Sequence, residues 1–188
     1  MAWERTLFMI KPDGLKRGLV GKCFKRVEEV GLKITAMKML HPTRDQADRH
    51  YPNEKDDLEW FKSVAEKGRK GYEKKGLKFP YKDDMDYARS VKKWLVDYLA
   101  SDPVVAAVVE GPNAIETVRK ISGATEPAQA EKGTIRGDFG DDSYKLANNE
   151  ERALKNIVHA SSSVKDAEKE IKVWFSEDEI VNYELDKK

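Results

Sequence analysis

The chain has 188 residues, enough for one domain with a sizeable core, and its 35 Lys and Arg against 34 Asp and Glu leave a net charge of +1. No global field therefore marks a nucleic-acid or membrane partner. A lone cysteine, Cys23, excludes an internal disulfide and a multi-cysteine zinc site; with no membrane-length apolar run and no secretory leader pattern, a cytoplasmic location is expected.

Thr6 to Lys11 reads as a short apolar strand, followed by Pro12-Asp13-Gly14, a turn signature. Leu15, Leu19, Val20, Phe24, Val27 and Val30 recur at helical spacing and predict one helix over 15–30, ended by Gly31, with Cys23 as a small core residue within it. Lys33 to Leu40 alternates as a second strand up to His41-Pro42, and two polar helices are expected around 44–51 and 56–65. The stretch 67–82 holds seven basic residues and one acid, with Tyr72, Phe79 and Tyr81 interleaved. Such a mixture can bind single-stranded nucleic acid, but Asp83, Asp84 and Asp86 cancel much of the field. A solvated excursion pinned by its aromatics is the favoured reading, and nucleic acid is not expected as a partner.

Val104 to Val109 is uninterrupted and apolar, the mark of a central strand covered on both faces. Glu110-Gly111-Pro112 ends it, and Asn113 with Glu116 forms a candidate reciprocal cap for a helix that Gly123 closes. Asn156 to Ala160 is a further strand. Val164, Ala167, Ile171 and Trp174 then form the stripe of an amphipathic helix, capped by Ser163 and Asp166. The order predicts an α+β fold, a ferredoxin-like βαββαβ sandwich in which an antiparallel four-stranded sheet is covered by helices.

Of the three histidines, His41 precedes a proline at a strand end and His50 sits on a polar helix; both read as ordinary surface or edge residues. His159 lies at the end of an apolar strand and leads into a helix start, where free backbone N–H groups favour anions. Taken alone, it still reads as structural. Neither a G-x-x-x-x-G-K-[ST] loop nor a G-x-G-x-x-G turn is present, so any phosphate must be held by side chains.

Lys11-Pro12-Asp13-Gly14, the loop Gly133-Thr134-Ile135-Arg136-Gly137-Asp138-Phe139 and the run Asn156-Ile157-Val158-His159-Ala160-Ser161 together resemble the signatures of the nucleoside diphosphate kinase family, in that family's order. The resemblance covers roughly residues 4–65 and 102–175 of a single domain spanning 1–188, with insertions near 66–101 and 140–155. It implies transfer of the γ-phosphate of a nucleoside triphosphate to a diphosphate, in two half-reactions through phosphorylated His159, with broad base and sugar specificity. It further implies that Arg119, Thr125 and Arg136 hold the inner phosphates, and that Lys11 and Tyr51 reach the transferring phosphate and the sugar. Asn156 would bind a ribose hydroxyl, and Trp60, with Val64 one turn along, would stack on the base. Glu168 and Glu170 lie at opposite edges of the last helix's stripe, so periodicity does not choose between them; the family motif selects Glu170 to orient His159, with Ser161 as its partner. Mg²⁺ is the implied cofactor, bridged mainly by nucleotide phosphates with no metal ligand from the chain. The implied assembly is a homo-oligomer, hexamer or tetramer. Ser162 stands where the family usually has aspartate, and Ala153 aligns with a small residue beside the base. The alternative is a catalytically weak nucleotide-binding or regulatory relative.

Overall fold

The computed structural model describes residues 2–74, 76 and 78–186. Four strands, β1 (Trp3–Ile10), β2 (Lys33–Leu40), β3 (Val104–Pro112) and β4 (Val158–Ala160), form one sheet in the order β2-β3-β1-β4. Every pairing is antiparallel. Because successive side chains of a strand face opposite ways, Phe8, Ile10, Val105, Ala107 and Val109 cover one face, and Leu7, Met9, Val104, Ala106 and Val108 the other. Both faces are covered by helices, which is why β1 and β3 read as continuous apolar runs rather than as alternating ones. The expected βαββαβ sandwich is the observed architecture.

Between β1 and β2 the single helix expected over 15–30 is two. Helix α1 (Pro12–Lys16) begins directly at the proline, and α2 (Val20–Glu29) follows after Gly18, whose φ is +65°. Pro12-Asp13-Gly14 is thus a helix start rather than a turn: proline's fixed φ suits the first helical position, where its missing N–H has no partner to lose. The apolar spacing hides the break because Leu15 and Leu19 both still pack against the core.

Helices α3 (Arg44–His50), α4 (Leu58–Lys74) and α5 (Asp84–Leu99) lie between β2 and β3. Helix α4 runs well past the expected 56–65, and α5 packs along it closely enough that a Cβ on Gly68 would sit 2.0 Å from the Tyr87 ring. Tyr72 and Phe79 meet at 5.4 Å between ring centroids and Tyr81 meets Tyr87 at 4.9 Å, so the aromatics of the basic stretch pack within this hairpin. Lys67, Lys70, Lys78 and Lys82 remain exposed; positions 75 and 77 of the stretch lie outside the described residues.

After β3 come α6 (Ala114–Ser122), α7 (Ile135–Phe139) and α8 (Tyr144–Asn149), then β4 and α9 (Val164–Trp174). The expected Asn113 cap does not form. Asn113 is left-handed at φ 48° without a side-chain cap bond, and the Ile115 N–H instead donates to Glu4 Oε2 at 3.1 Å. A carboxylate from β1 thus occupies the anion-favouring helix start. The Ser163 cap of α9 forms as expected, accepting the Asp166 N–H at 3.1 Å.

Candidate active site

The site grows from the point where β1 ends and β4 begins. Lys11 leaves β1, and its N–H donates to Ile157 O at 2.8 Å, while the Ile157 N–H donates to Asp13 Oδ2 at 3.0 Å. Ile157 is fully buried with φ +70°, and the Val158 N–H closes a three-residue turn on Asn156 O at 2.7 Å. A β-branched residue in this region is strained, and it persists only where its surroundings over-determine it. Lys11, Asp13 and the close approach of Gly14, where an added Cβ would lie 2.9 Å from Ile157 O, supply that constraint. The Tyr98 hydroxyl from α5 donates to the other oxygen of Asp13.

This turn aims Asn156 inward. Its Oδ1 accepts from Lys11 Nζ at 2.9 Å and its Nδ2 donates to Thr125 O at 2.9 Å, which leaves one amide hydrogen free for a further acceptor. Burial pushes the Lys11 ammonium down to about 8, and the nearby Arg136 adds to the shift. Arg136, on α7, is itself buried and lowered to about 10 by desolvation. Its Nε, Nη1 and Nη2 donate to the carbonyls of Asn156 (3.1 Å), Gly123 (2.7 Å) and Val158 (2.7 Å). The guanidinium therefore stitches the loops around β4, with two of its five N–H groups left over. Arg119 on α6 and Thr125 in the loop after it are exposed nearby, and the charge of Arg119 contributes to lowering Arg136.

His159 lies on β4 opposite Met9. Its Nε2 is 2.7 Å from Glu170 Oε2, and the Ser161 hydroxyl donates to the same oxygen at 2.6 Å. Burial by itself works against a charged Glu170, yet His159 and the two hydrogen bonds outweigh it and hold the carboxyl below its ordinary value. An ionised carboxylate only accepts, so His159 Nε2 carries the hydrogen, and in the neutral ring Nδ1 is the nitrogen with the lone pair. Glu168 is exposed, and Glu170 alone of the two reaches the histidine.

Two residues enter the site that the sequence reading placed elsewhere or left in the core. His50, read as a surface residue, is buried, with its ring centroid 4.5 Å from that of His159 in an edge-to-face contact. The Trp174 indole donates to His50 Nδ1 at 3.2 Å. Helix α3 is polar in composition, but its Ala47 and His50, three residues apart, share one buried face. Trp174 lies four residues beyond Glu170 on α9, a spacing that places both on the same side. That spacing was the legible signal. Burial drives His50 down to about 3, with His159 adding to the effect. The Tyr51 hydroxyl beside it is buried and, like His50 Nε2, has no hydrogen-bond partner among the described residues; burial raises its pKa. His41 stays exposed, bonded to Ala100 O.

Trp60 and Val64 are half-buried on α4, packed against Phe61 and Ala65, and Ala153 is buried before β4. The Ser162 hydroxyl donates to the Asp166 carboxylate, so an acid stands beside the position at which the resemblance leads to the expectation of aspartate. Among the described residues the one metal-capable cluster is His50, His159 and Glu170. It is rich in nitrogen, with its carboxylate already accepting two hydrogen bonds, and does not suit Mg²⁺, which takes oxygen ligands and keeps its waters. No described helix is long and apolar enough to cross a membrane.

The family model described as nucleoside diphosphate kinase matches residues 4–72 and 74–180. The chain is 42% identical over 185 residues to a nucleoside diphosphate kinase of Pyrobaculum aerophilum, covering 96% of this chain and 100% of that one. It is 44% identical over 181 residues to one of Archaeoglobus fulgidus, covering 96% and 92%. Among solved structures it is similar to an NDP kinase from Pyrobaculum aerophilum (TM-score 0.90, 40% identity, 96% of this chain and 100% of that one). It is also similar to a transition state mimic of the nucleoside-diphosphate kinase from Borrelia burgdorferi with bound vanadate and ADP (TM-score 0.79, 36% identity, covering 98% and 94%).

Proposed function

The chain belongs to the nucleoside diphosphate kinase family, and from that premise we propose that it moves the terminal phosphate of a nucleoside triphosphate to a nucleoside diphosphate through a phosphoryl group on His159. The observation that carries this reading is the bond from His159 Nε2 to Glu170 at 2.7 Å, which leaves Nδ1 as the free nucleophile. In the first half-reaction the Nδ1 lone pair attacks the γ-phosphorus; a P–N bond forms, the bridging P–O bond breaks, and the diphosphate leaves. In the second, a terminal oxygen of another diphosphate attacks the same phosphorus and the P–N electrons return to Nδ1. The Nε2 hydrogen stays in place, and Glu170 offsets the positive charge that develops on the ring.

Lys11 and the unpartnered Tyr51 hydroxyl serve the transferring phosphoryl group, while Arg119, Thr125 and the two spare N–H groups of Arg136 serve the inner phosphates. The free amide hydrogen of Asn156 meets a ribose hydroxyl. Trp60 stacks on the base with apolar Val64 one turn along, and stacking tolerates every base. Positioning and charge stabilisation supply most of the acceleration. Among the described residues no oxygen cage for Mg²⁺ is built, so nucleotide phosphates would hold the ion, which would supply neutralisation of phosphate charge. We assign the reaction to the cytoplasm and to a homo-oligomer; β2 is an edge strand with Met37 and Met39 exposed, a surface that suits a second copy.

Brief incubation with γ-labelled ATP is the test. Label is expected on the protein, stable to alkali and labile to acid, and it should pass to added GDP. Retention of label by His159→Ala would defeat the proposal.

A further inference from the structure

We propose that His50 is a further catalytic residue, a neutral hydrogen-bond donor whose Nε2–H meets an oxygen of the phosphoryl group carried by His159. The inference rests on the reading of His159 as the phosphoryl carrier and adds a residue to it. Three observations lead to it.

The first is the tautomer. An indole N–H can only donate, so the bond from Trp174 to His50 Nδ1 at 3.2 Å requires a lone pair there. In a neutral ring the hydrogen must then sit on Nε2. Trp174 and Glu170 both project from α9, so one helix fixes the protonation pattern of both imidazoles in complementary ways. His159 presents a lone pair on its free nitrogen, and His50 presents an N–H.

The second is the missing partner. His50 is 4% exposed, and its Nε2 makes no hydrogen bond among the described residues. A buried donor without an acceptor costs stability, and a ligand that supplies the acceptor is one reason for a fold to keep it. The neighbouring Tyr51 hydroxyl is unpartnered in the same way. Tyr51 packs on His50 and His50 on His159, so the two orphaned groups belong to rings in line with the proposed nucleophile, an arrangement that suits donors to charge arriving with the substrate.

The third is distance and charge. A ring nitrogen of His50, a ring nitrogen of His159 and a Glu170 oxygen all lie within 4.8 Å of one another. The two rings meet edge to face at 4.5 Å between centroids, so a phosphoryl group on His159 comes next to the His50 ring. An imidazolium at this distance would withdraw electron density from the attacking Nδ1. Burial keeps His50 uncharged, so the ring donates to the phosphoryl oxygens without weakening the nucleophile.

The test uses the full chain with two substitutions. His50→Phe keeps a planar ring without a donor, and His50→Gln keeps an amide N–H at the reach of Nε2. Rapid-quench measurement of His159 phosphorylation by labelled ATP is paired with ADP affinity, which reports an intact site. His50→Phe is expected to slow phosphorylation roughly ten- to a hundredfold, the worth of a hydrogen bond to a charged group. His50→Gln should stay within about threefold of wild type by the same reasoning, because the donor remains. ADP affinity should be unchanged in both. Equal rates for the two variants, whether both slow or both normal, overturn the role of His50 as donor while leaving His159 as carrier untouched. A wild-type protein that never labels on His159 overturns the carrier reading itself.

Discussion

Lys11 is the residue whose removal separates stability from function most clearly. The residue is 6% exposed, and burial, with the charge of Arg136, lowers its pKa from 10.5 to about 8. Keeping that charge in the folded protein at neutral pH therefore costs about 3 kcal/mol relative to the unfolded chain. Lys11→Met removes the cost and orphans Asn156 Oδ1, which returns about 1 kcal/mol. The variant should be more stable than wild type by roughly 2 kcal/mol at pH 7 while losing phosphate binding. The sign of the pH dependence follows from the lowered value. The penalty is full below pH 8, and it fades between pH 8 and 10.5, where the unfolded chain holds a proton that the folded one has released. Wild type should therefore gain on the variant across that window. Urea unfolding of both proteins, from pH 7 to 10.5 at one protomer concentration, reads the difference directly. A variant less stable than wild type at pH 7, or a gap that stays constant with pH, would show that burial does not penalise the Lys11 charge.

Glu170→Gln keeps the shape but not the charge beside His159, and phosphorylation of His159 should slow by roughly ten- to a hundredfold in rapid-quench assays; a change below twofold would remove Glu170 from the mechanism. ATP, GTP, CTP and UTP should donate with kcat/KM values within about two orders of magnitude, purines ahead, and Trp60→Ala should weaken all four together. A thousandfold preference for one base would require a specific reader, since only unpaired buried polar groups reject bases so strongly, by roughly 10⁴-fold. Ser162→Asp should change kcat by less than about tenfold, because Asp166 already stands there; a larger gain in steady-state assays would mean that the wild-type chain is an impaired catalyst.

The strands and the chemistry of the site were largely legible in the sequence, because apolar periodicity and short motifs are local signals. VVAAVV announced the central strand, and the family resemblance of the run 156–161 pointed to His159 as the proposed nucleophile. What stayed hidden depends on tertiary context. His50 sits on a helix whose composition is polar, and only the docking of α3 against α9 turns its one buried face toward His159. Periodicity left Glu170 and Glu168 open, since both flank the apolar stripe; the family motif selects Glu170, which in the fold is the one bonded to His159. Arg136 shows the same limit: its charge was visible, but its three bonds to backbone carbonyls were not. The cap of α6 came from Glu4, over a hundred residues away in the chain, where no local pattern could find it.

We propose above all that phosphate passes through His159 at Nδ1 because Glu170 holds the hydrogen on Nε2. The direct measurement is to phosphorylate the protein with ATP, its histidines labelled with ¹⁵N, denature it in alkali and record the ³¹P–¹⁵N coupling alongside peptide mapping. The account predicts a single phosphoryl group on His159, coupled to Nδ1, and its absence from His159→Ala but not from His41→Ala. Phosphorus on Nε2 of His159, or on any other residue, would contradict it.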